Sequence, residues 1–324
     1  MYVTSLLLSL PATTTGLVLM GDLKASQLHT EALCQEPQNA LTRRFTQAER
    51  DALKNLRPML PEIRSTAYGG DTPKTISLWG VTIDPQDPAA NPRASVVLMK
   101  FLRARKLDVG AAKTLLIEVL RWRKQVDIDD IMTRQFPGTK MPTTKFGKDR
   151  EGQPVIYNLI NQESTKSICA ELEADSKMVI ERTARNLEQL ARSLDYETTD
   201  RVTRVTDMTL MSLEDLGGSK LAQNATYVRV VRDYYPDFST SWFAVNAPML
   251  LSVQSWVASL FVAPGGGKVQ FVGKGAKTIV QKLSEVIDPA ELPEQFGGRA
   301  TGFYWKLEGS TPGTDAVVEK ISDL

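Results

Sequence analysis

The chain has 324 residues, 42% of them hydrophobic, and carries 39 basic against 38 acidic side chains. That is enough material for one large domain or two ordinary ones, and the balanced charge excludes a dominant nucleic-acid surface. Two cysteines, Cys34 and Cys169, and a single histidine, His29, exclude a disulfide framework, a Ser-His-Asp triad and a histidine-rich or zinc-type metal site.

Residues 1–45 show no sustained periodicity and read as an N-terminal tail. The first 20 are apolar, but no basic residue precedes them and Pro11 with three threonines interrupts them, so they are not read as a secretory signal. Folded structure is expected from Thr46, where Thr46 and Glu49 form a capping-box pattern opening a helix through Leu53 and Leu56 toward Pro58 or Pro61. A loop rich in Gly, Pro and Asp then carries SLWGVTI. Val97, Phe101 and Ala104, with Leu98 and Leu102, line one face of the next helix, while Lys100, Arg103, Arg105 and Lys106 supply its charge. Asp108 caps a further helix in which Ala112, Leu115, Leu116, Val119 and Trp122 recur at helical spacing. That spacing assigns Trp122 to the core rather than to base stacking, although LRWRK interleaves aromatic and basic residues. These segments form an expected helical unit, 46–140.

The character changes near Phe146. GKDREGQP is a hairpin-like turn, and VIYNLI after it is a strand. A helix over 175–194, the strand VTRVTDMTL, the helix SKLAQNATYVRVVRDYY, the strand WFAVNA, an apolar helix, the strand VQFVG and the helix KTIVQKLSEV follow. This alternation predicts an α/β domain, 141–306, with a mainly parallel sheet under covering helices, before a C-terminal tail, 307–324.

From Phe238 to Gly267 the chain runs 30 residues without Lys, Arg, Asp or Glu. Between Pro248 and Pro264, Met249, Leu250, Leu251, Val253, Trp256, Val257, Leu260 and Phe261 cover most of a helix whose Ser252, Ser255 and Ser259 form one small seam. A helix so apolar needs burial, lipid or both, and its 15 residues fall short of the roughly 20 that span a bilayer. The segment VQFVGKGAKT fails as a phosphate loop, because Ala276 stands where Gly must precede Lys277. No nucleophile and base pair can be named, so no enzyme activity is expected.

Four segments in order, KFLRARKLDVGAAKTLLIEVLRWRK, DREGQPVIYN, DYYPDFSTSWFAVNAP and LPEQFGG, together resemble the CRAL-TRIO family over roughly Thr46 to Gly298. The resemblance implies a lipid-sized cavity with the sheet as its floor and a helical gate, here Pro248 to Pro264, as its lid. Met249, Leu250, Val253, Trp256, Val257, Leu260 and Phe261 would then wall the cavity, and Gly265, Gly266 and Gly267 would form the hinge. It further implies a headgroup clasp for phosphatidylinositol at Arg105, Lys106, Asp237 and Lys268, with Asp237 one methylene shorter than the family's usual glutamate. Val202 and Arg204 replace the hydroxyl residues that hold a choline lipid, and Thr206 and Met208 replace the haem-binding pair of some relatives. The implied protein is a monomeric, cytoplasmic lipid carrier that touches intracellular membranes transiently, without cofactor, metal or nucleic acid. Two alternatives stay open: a carrier of a sterol, tocopherol-like or other hydrophobic ligand, and a lipid-sensing signalling module.

Overall fold

The computed structural model describes residues 36–70, 72–138, 142–210, 230, 233–247 and 269–305. Ordered packing begins before Thr46: a 3-10 turn over Thr42–Arg44 buries Leu41 and Phe45, and the Asn39 side chain accepts the Leu41 and Thr42 N–H groups. Packed structure therefore starts before the tail boundary expected at residue 45, which is the cap residue after this turn. Helix α1 (Gln47–Leu56) opens with the expected capping box, in which the Thr46 hydroxyl accepts from the Glu49 N–H and the Glu49 carboxylate accepts from the Thr46 N–H. The α-helix ends at Leu56, ahead of Pro58 as expected, but helical backbone resumes past both prolines. Each occupies the first turn of a new element, a 3-10 turn over Arg57–Met59 and α2 (Leu60–Tyr68), where a missing N–H costs nothing.

SLWGVTI, expected as a loop segment, is a hairpin. Strands β1 (Ile76–Leu78) and β2 (Val81–Ile83) pair antiparallel around Trp79 and Gly80, both with positive φ (53° and 80°), the geometry of a tight two-residue turn. The turn drives the Trp79 ring into the core, stacked 5.6 Å from Phe101 and edge-on 4.7 Å from Phe238. Helices α3 (Pro92–Ala104), capped by Asn91, α4 (Val109–Val126), capped by Asp108, and α5 (Ile128–Thr133) complete the helical unit.

Among the described residues the second part forms a five-stranded sheet. Strands β3 (Thr143–Lys148) and β4 (Pro154–Asn161) are antiparallel; β4, β5 (Val202–Leu210), β6 (Ser239–Val245) and β7 (Val269–Phe271) are parallel, and spatial order follows chain order. Helices α6 (Gln162–Ala174) and α7 (Ser176–Arg192) make the first crossover, and α8 (Ala276–Leu283) follows β7. Because side chains alternate along a strand, the faces differ. One, including Tyr157, Phe243 and Val245, packs on Ile279, Leu283, Leu292 and Phe296 of α8 and the LPEQFGG segment. A Cβ on Gly298 would lie 1.9 Å from the Leu292 carbonyl oxygen, so only glycine fits there. On the other face Ile156 and Val202 join the core of the helical unit, while Met208, Ala244 and Ala247, with Ile160, Val269 and Phe271, form a separate apolar patch. Among the described residues no helix is long and apolar enough to cross a membrane.

Candidate functional site

The basic end of α3 is closed by a Schellman arrangement: Leu107 N–H donates to the Leu102 carbonyl at 2.8 Å and Lys106 N–H to the Arg103 carbonyl at 3.1 Å. The left-handed position of this motif usually takes glycine; here Lys106 occupies it with φ 53°, followed by Leu107 with φ 66°. Such backbone costs about 1 kcal/mol or more per non-glycine residue. Lys106 is exposed, and half-buried Arg105 donates to the carbonyl of its neighbour Ala104 at 3.2 Å.

Asp237, also left-handed with φ 54°, meets the same helix one turn earlier. Its main-chain carbonyl accepts from Lys100 Nζ at 2.9 Å, and its Oδ2 lies 3.7 Å from Arg103 Nη1 without accepting a hydrogen bond. Asp200 Oδ2 stands 3.6 Å from Lys100 Nζ and 3.7 Å from Arg103 Nη1, Arg103 Nε donates to Glu49 at 2.7 Å, and Arg201 Nε lies 3.5 Å from Asp200 Oδ1. Burial pushes the Asp237 carboxyl up, more than Lys100, Arg201 and Arg103 pull it down. Burial likewise pushes the Lys100 ammonium down, against the opposing charges of Asp200 and Asp237. Lys100 is fully buried and also sits 4.4 Å from the centre of the Phe238 ring.

The structure thus joins Asp237 to Lys100 and Arg103, and among the described residues no ion pair links it to Arg105 or Lys106. Lys268, Pro248, Pro264, the wall residues Met249, Leu250, Val253, Trp256, Val257, Leu260 and Phe261, and the hinge Gly265, Gly266 and Gly267 lie outside the described residues. Lys100 and Arg103 were expected on the charged flank of a helix. The available signal was the run SVVLMKFL, a lone lysine within an apolar stretch whose residues from Ala94 to Leu102 are all buried.

At the C-terminal ends of the central strands, Asp207 Oδ1 accepts from the Thr209 N–H at 2.9 Å, the Thr209 hydroxyl at 2.6 Å and Asn246 Nδ2 at 2.9 Å, which ties β5 to the residue after β6. The neighbouring positions on the patch face are Arg204, whose guanidinium sits 5.7 Å from the Trp242 ring, and Thr206, which accepts from Trp242 Nε1 at 2.8 Å. Trp122 is buried against Tyr234, 4.6 Å between ring centres, as its helical spacing implied. Arg123 beside it makes a buried bidentate pair with Glu188 at 2.7 and 2.9 Å. Among the described residues no group of three or more His, Cys, Asp or Glu is placed to hold a metal.

Residues 52–118 match the CRAL/TRIO N-terminal domain and residues 139–298 the CRAL/TRIO domain. Patellin-3 of Arabidopsis thaliana is 28% identical over 262 residues, covering 78% of this chain and 52% of patellin-3. Patellin-4 of the same plant is 30% identical over 237 residues, covering 70% of this chain and 42% of patellin-4. The SEC14 cytosolic factor of Eremothecium gossypii is 26% identical over 227 residues, covering 63% of this chain and 68% of that protein. The chain spans about half or less of the length of these plant relatives. The solved structure of Sfh5 shares the fold with a TM-score of 0.58 at 19% identity, over 80% of this chain and 89% of that one.

Proposed function

The chain belongs to the CRAL/TRIO family of lipid-binding and lipid-transfer proteins, and from that premise we propose that it encloses a single phosphatidylinositol and exchanges or presents it between membranes. The observation that carries this reading is the uncharged patch of Ile160, Met208, Ala244, Val269 and Phe271 on one face of the sheet, bordered in sequence by 30 residues without a formal charge. Acyl chains laid on such a floor contribute about 0.8 kcal/mol per buried methylene, enough for a tight complex that still exchanges at a membrane. In this reading residues 248–264 gate the chamber about Gly265, Gly266 and Gly267. Arg105, Lys106 and Lys268 pair with the lipid phosphate, and Asp237 accepts hydrogen bonds from inositol hydroxyls. The unbonded Oδ2 of Asp237 supports its role, since a mostly buried carboxylate oxygen without a donor is a costly arrangement that a ligand hydroxyl relieves. The protein works as a cytoplasmic monomer that touches intracellular membranes transiently, and the proposal includes no chemical step.

Extraction of labelled phosphatidylinositol from vesicles tests the reading. The Lys106→Ala/Lys268→Ala double variant is expected to lose at least about tenfold in uptake, the worth of one charge-assisted contact. Normal extraction by that variant would refute the headgroup assignment. A second reading, a carrier of another hydrophobic ligand, is favoured by the ion pairing of Asp237 with Arg103 rather than with Arg105 or Lys106. Native mass spectrometry of the gently purified protein separates the two by the mass of the ligand it carries.

A further inference from the structure

Asp237 is the acid of the proposed clasp, yet little of what fixes its position comes from its own loop. Its backbone lies at φ 54°, where a non-glycine residue is strained, and its carbonyl is held at 2.9 Å by the ammonium of Lys100, 137 positions earlier in the chain. Its Oδ2 faces Arg103 at 3.7 Å, and Arg103 is itself anchored by Glu49 at 2.7 Å. Lys100 and Arg103 share one face of α3 at a spacing of three, and the same helix ends in Arg105 and Lys106. One helix therefore supports the acid from beneath and carries two cations of the clasp at its tip.

We infer that Lys100 and Arg103 are positioning residues of the headgroup clasp: Lys100 fixes the backbone of Asp237, and Arg103 holds its carboxylate ready to accept from ligand hydroxyls. The helical unit, rather than the loop that bears Asp237, then sets how well the clasp grips an inositol lipid. This rests on the reading of Asp237 as a headgroup ligand. The groups that act on the Asp237 carboxyl are Lys100 and Arg103 from α3, Asp200 and Arg201 from the segment before β5, and Glu49 of α1 through Arg103. Burial raises the carboxyl, the three cations lower it and Asp200 raises it. Loss of Arg103 must therefore raise it further, and a protonated Asp237 gives up acceptor capacity to the ring hydroxyls.

The test is uptake of labelled phosphatidylinositol from phosphatidylcholine vesicles between about pH 5.5 and pH 8, a range in which His29 is the chain's only side chain of ordinary matching pKa. The acid limb of Arg103→Gln is expected to lie at higher pH than that of the wild type, so that the variant loses uptake first as pH falls. Glu49→Gln, which removes an anchor of Arg103 but leaves its charge beside Asp237, keeps the wild-type profile. Asp200→Asn, which removes the like charge, moves any acid limb to lower pH and keeps the inference testable if Arg103→Gln does not fold. Equal losses for Arg103→Gln and Glu49→Gln at every pH would reduce Arg103 to a structural role, and an acid limb of Asp200→Asn that stays put or rises would overturn the inference as well. Wild-type uptake by Asp237→Asn at every pH sinks the clasp reading itself, whereas a defective Asp237→Asn beside an unchanged Arg103→Gln sinks only the positioning role.

Discussion

Replacing Glu188 by alanine isolates a buried ion pair that joins the helical unit to the α/β domain. Glu188 is fully buried on α7, and its carboxylate accepts two hydrogen bonds from Arg123 of α4, one from Arg192 at 2.8 Å and one from the Tyr235 hydroxyl at 3.2 Å. Removing it strands Arg123, which is 6% exposed, as a buried cation without its counterion, whereas Arg192 is about a third exposed and turns to water. Breaking a buried pair from one side costs about 3–5 kcal/mol, most of it the uncompensated charge, and urea unfolding should report that loss. Replacing both partners, Arg123→Met with Glu188→Leu, should recover to within about 1 kcal/mol of the wild type, because both desolvation penalties vanish together.

The acid side gives a second readout. Burial pushes the Glu188 carboxyl up, but Arg123 and Arg192 outweigh it and hold the group below its ordinary range. Its stabilisation is thus complete above the unfolded carboxylate pKa and is lost as pH falls through the lower folded value. The stability gap between the wild type and Glu188→Gln should narrow as pH falls below about 4. A Glu188→Ala variant costing less than about 1 kcal/mol, or a double variant as damaged as the sum of its singles, would refute the reasoning.

Trp79→Ala removes a ring that is 1% exposed and packed on Phe101 and Phe238, and should cost about 3–5 kcal/mol by urea unfolding. Two glycine variants separate steric from conformational constraint. Gly298→Ala places a Cβ 1.9 Å from a backbone oxygen that cannot swing aside, so loss of soluble expression or a thermal midpoint lowered by many degrees is expected. Gly152→Ala meets nothing within 4 Å and is strained only by its φ of 83°, so calorimetry should find a cost of about 1–2 kcal/mol.

What the sequence disclosed and what it concealed divide along the range of the interactions involved. The Thr46 and Glu49 capping box, the Asp108 cap and the strands β4, β5 and β6 were legible because their determinants lie within a few residues of one another. Helices α2, α5 and α6 and strand β3 were not drawn from the pattern. Pro58 and Pro61 read as stops in the sequence although proline also starts helices, and Thr143–Lys148 alternates poorly, with only Thr144 buried. The hairpin at Trp79 was hidden by its turn, since a tryptophan at positive φ takes a place usually filled by Asn, Asp or Gly.

The surroundings of Asp237 show the same division. The family resemblance singles out Asp237 as an expected headgroup residue, but Lys100 and Arg103, which the structure places against it, read in sequence as the charge of an amphipathic helix, where such residues are usually exposed. Their burial is decided by Asp200 and Asp237, which lie about 100 and 137 positions further along the chain and become neighbours only when the sheet closes on the helical unit. A fully buried lysine between two acids costs several kcal/mol in desolvation that its ion pairs do not reliably return. If stability alone shaped this site, apolar residues replacing Lys100 and Asp200 together would serve it at least as well. The lysine's distinct contribution is a hydrogen bond to the carbonyl of a strained Asp237, so the Lys100→Met/Asp200→Leu double variant, which strands neither member of the buried pair and leaves Arg103 and Arg201 about a quarter exposed, should hold stability in urea while losing phosphatidylinositol uptake. A variant that loses stability and keeps full uptake would place Lys100 in the scaffold and remove it from the clasp.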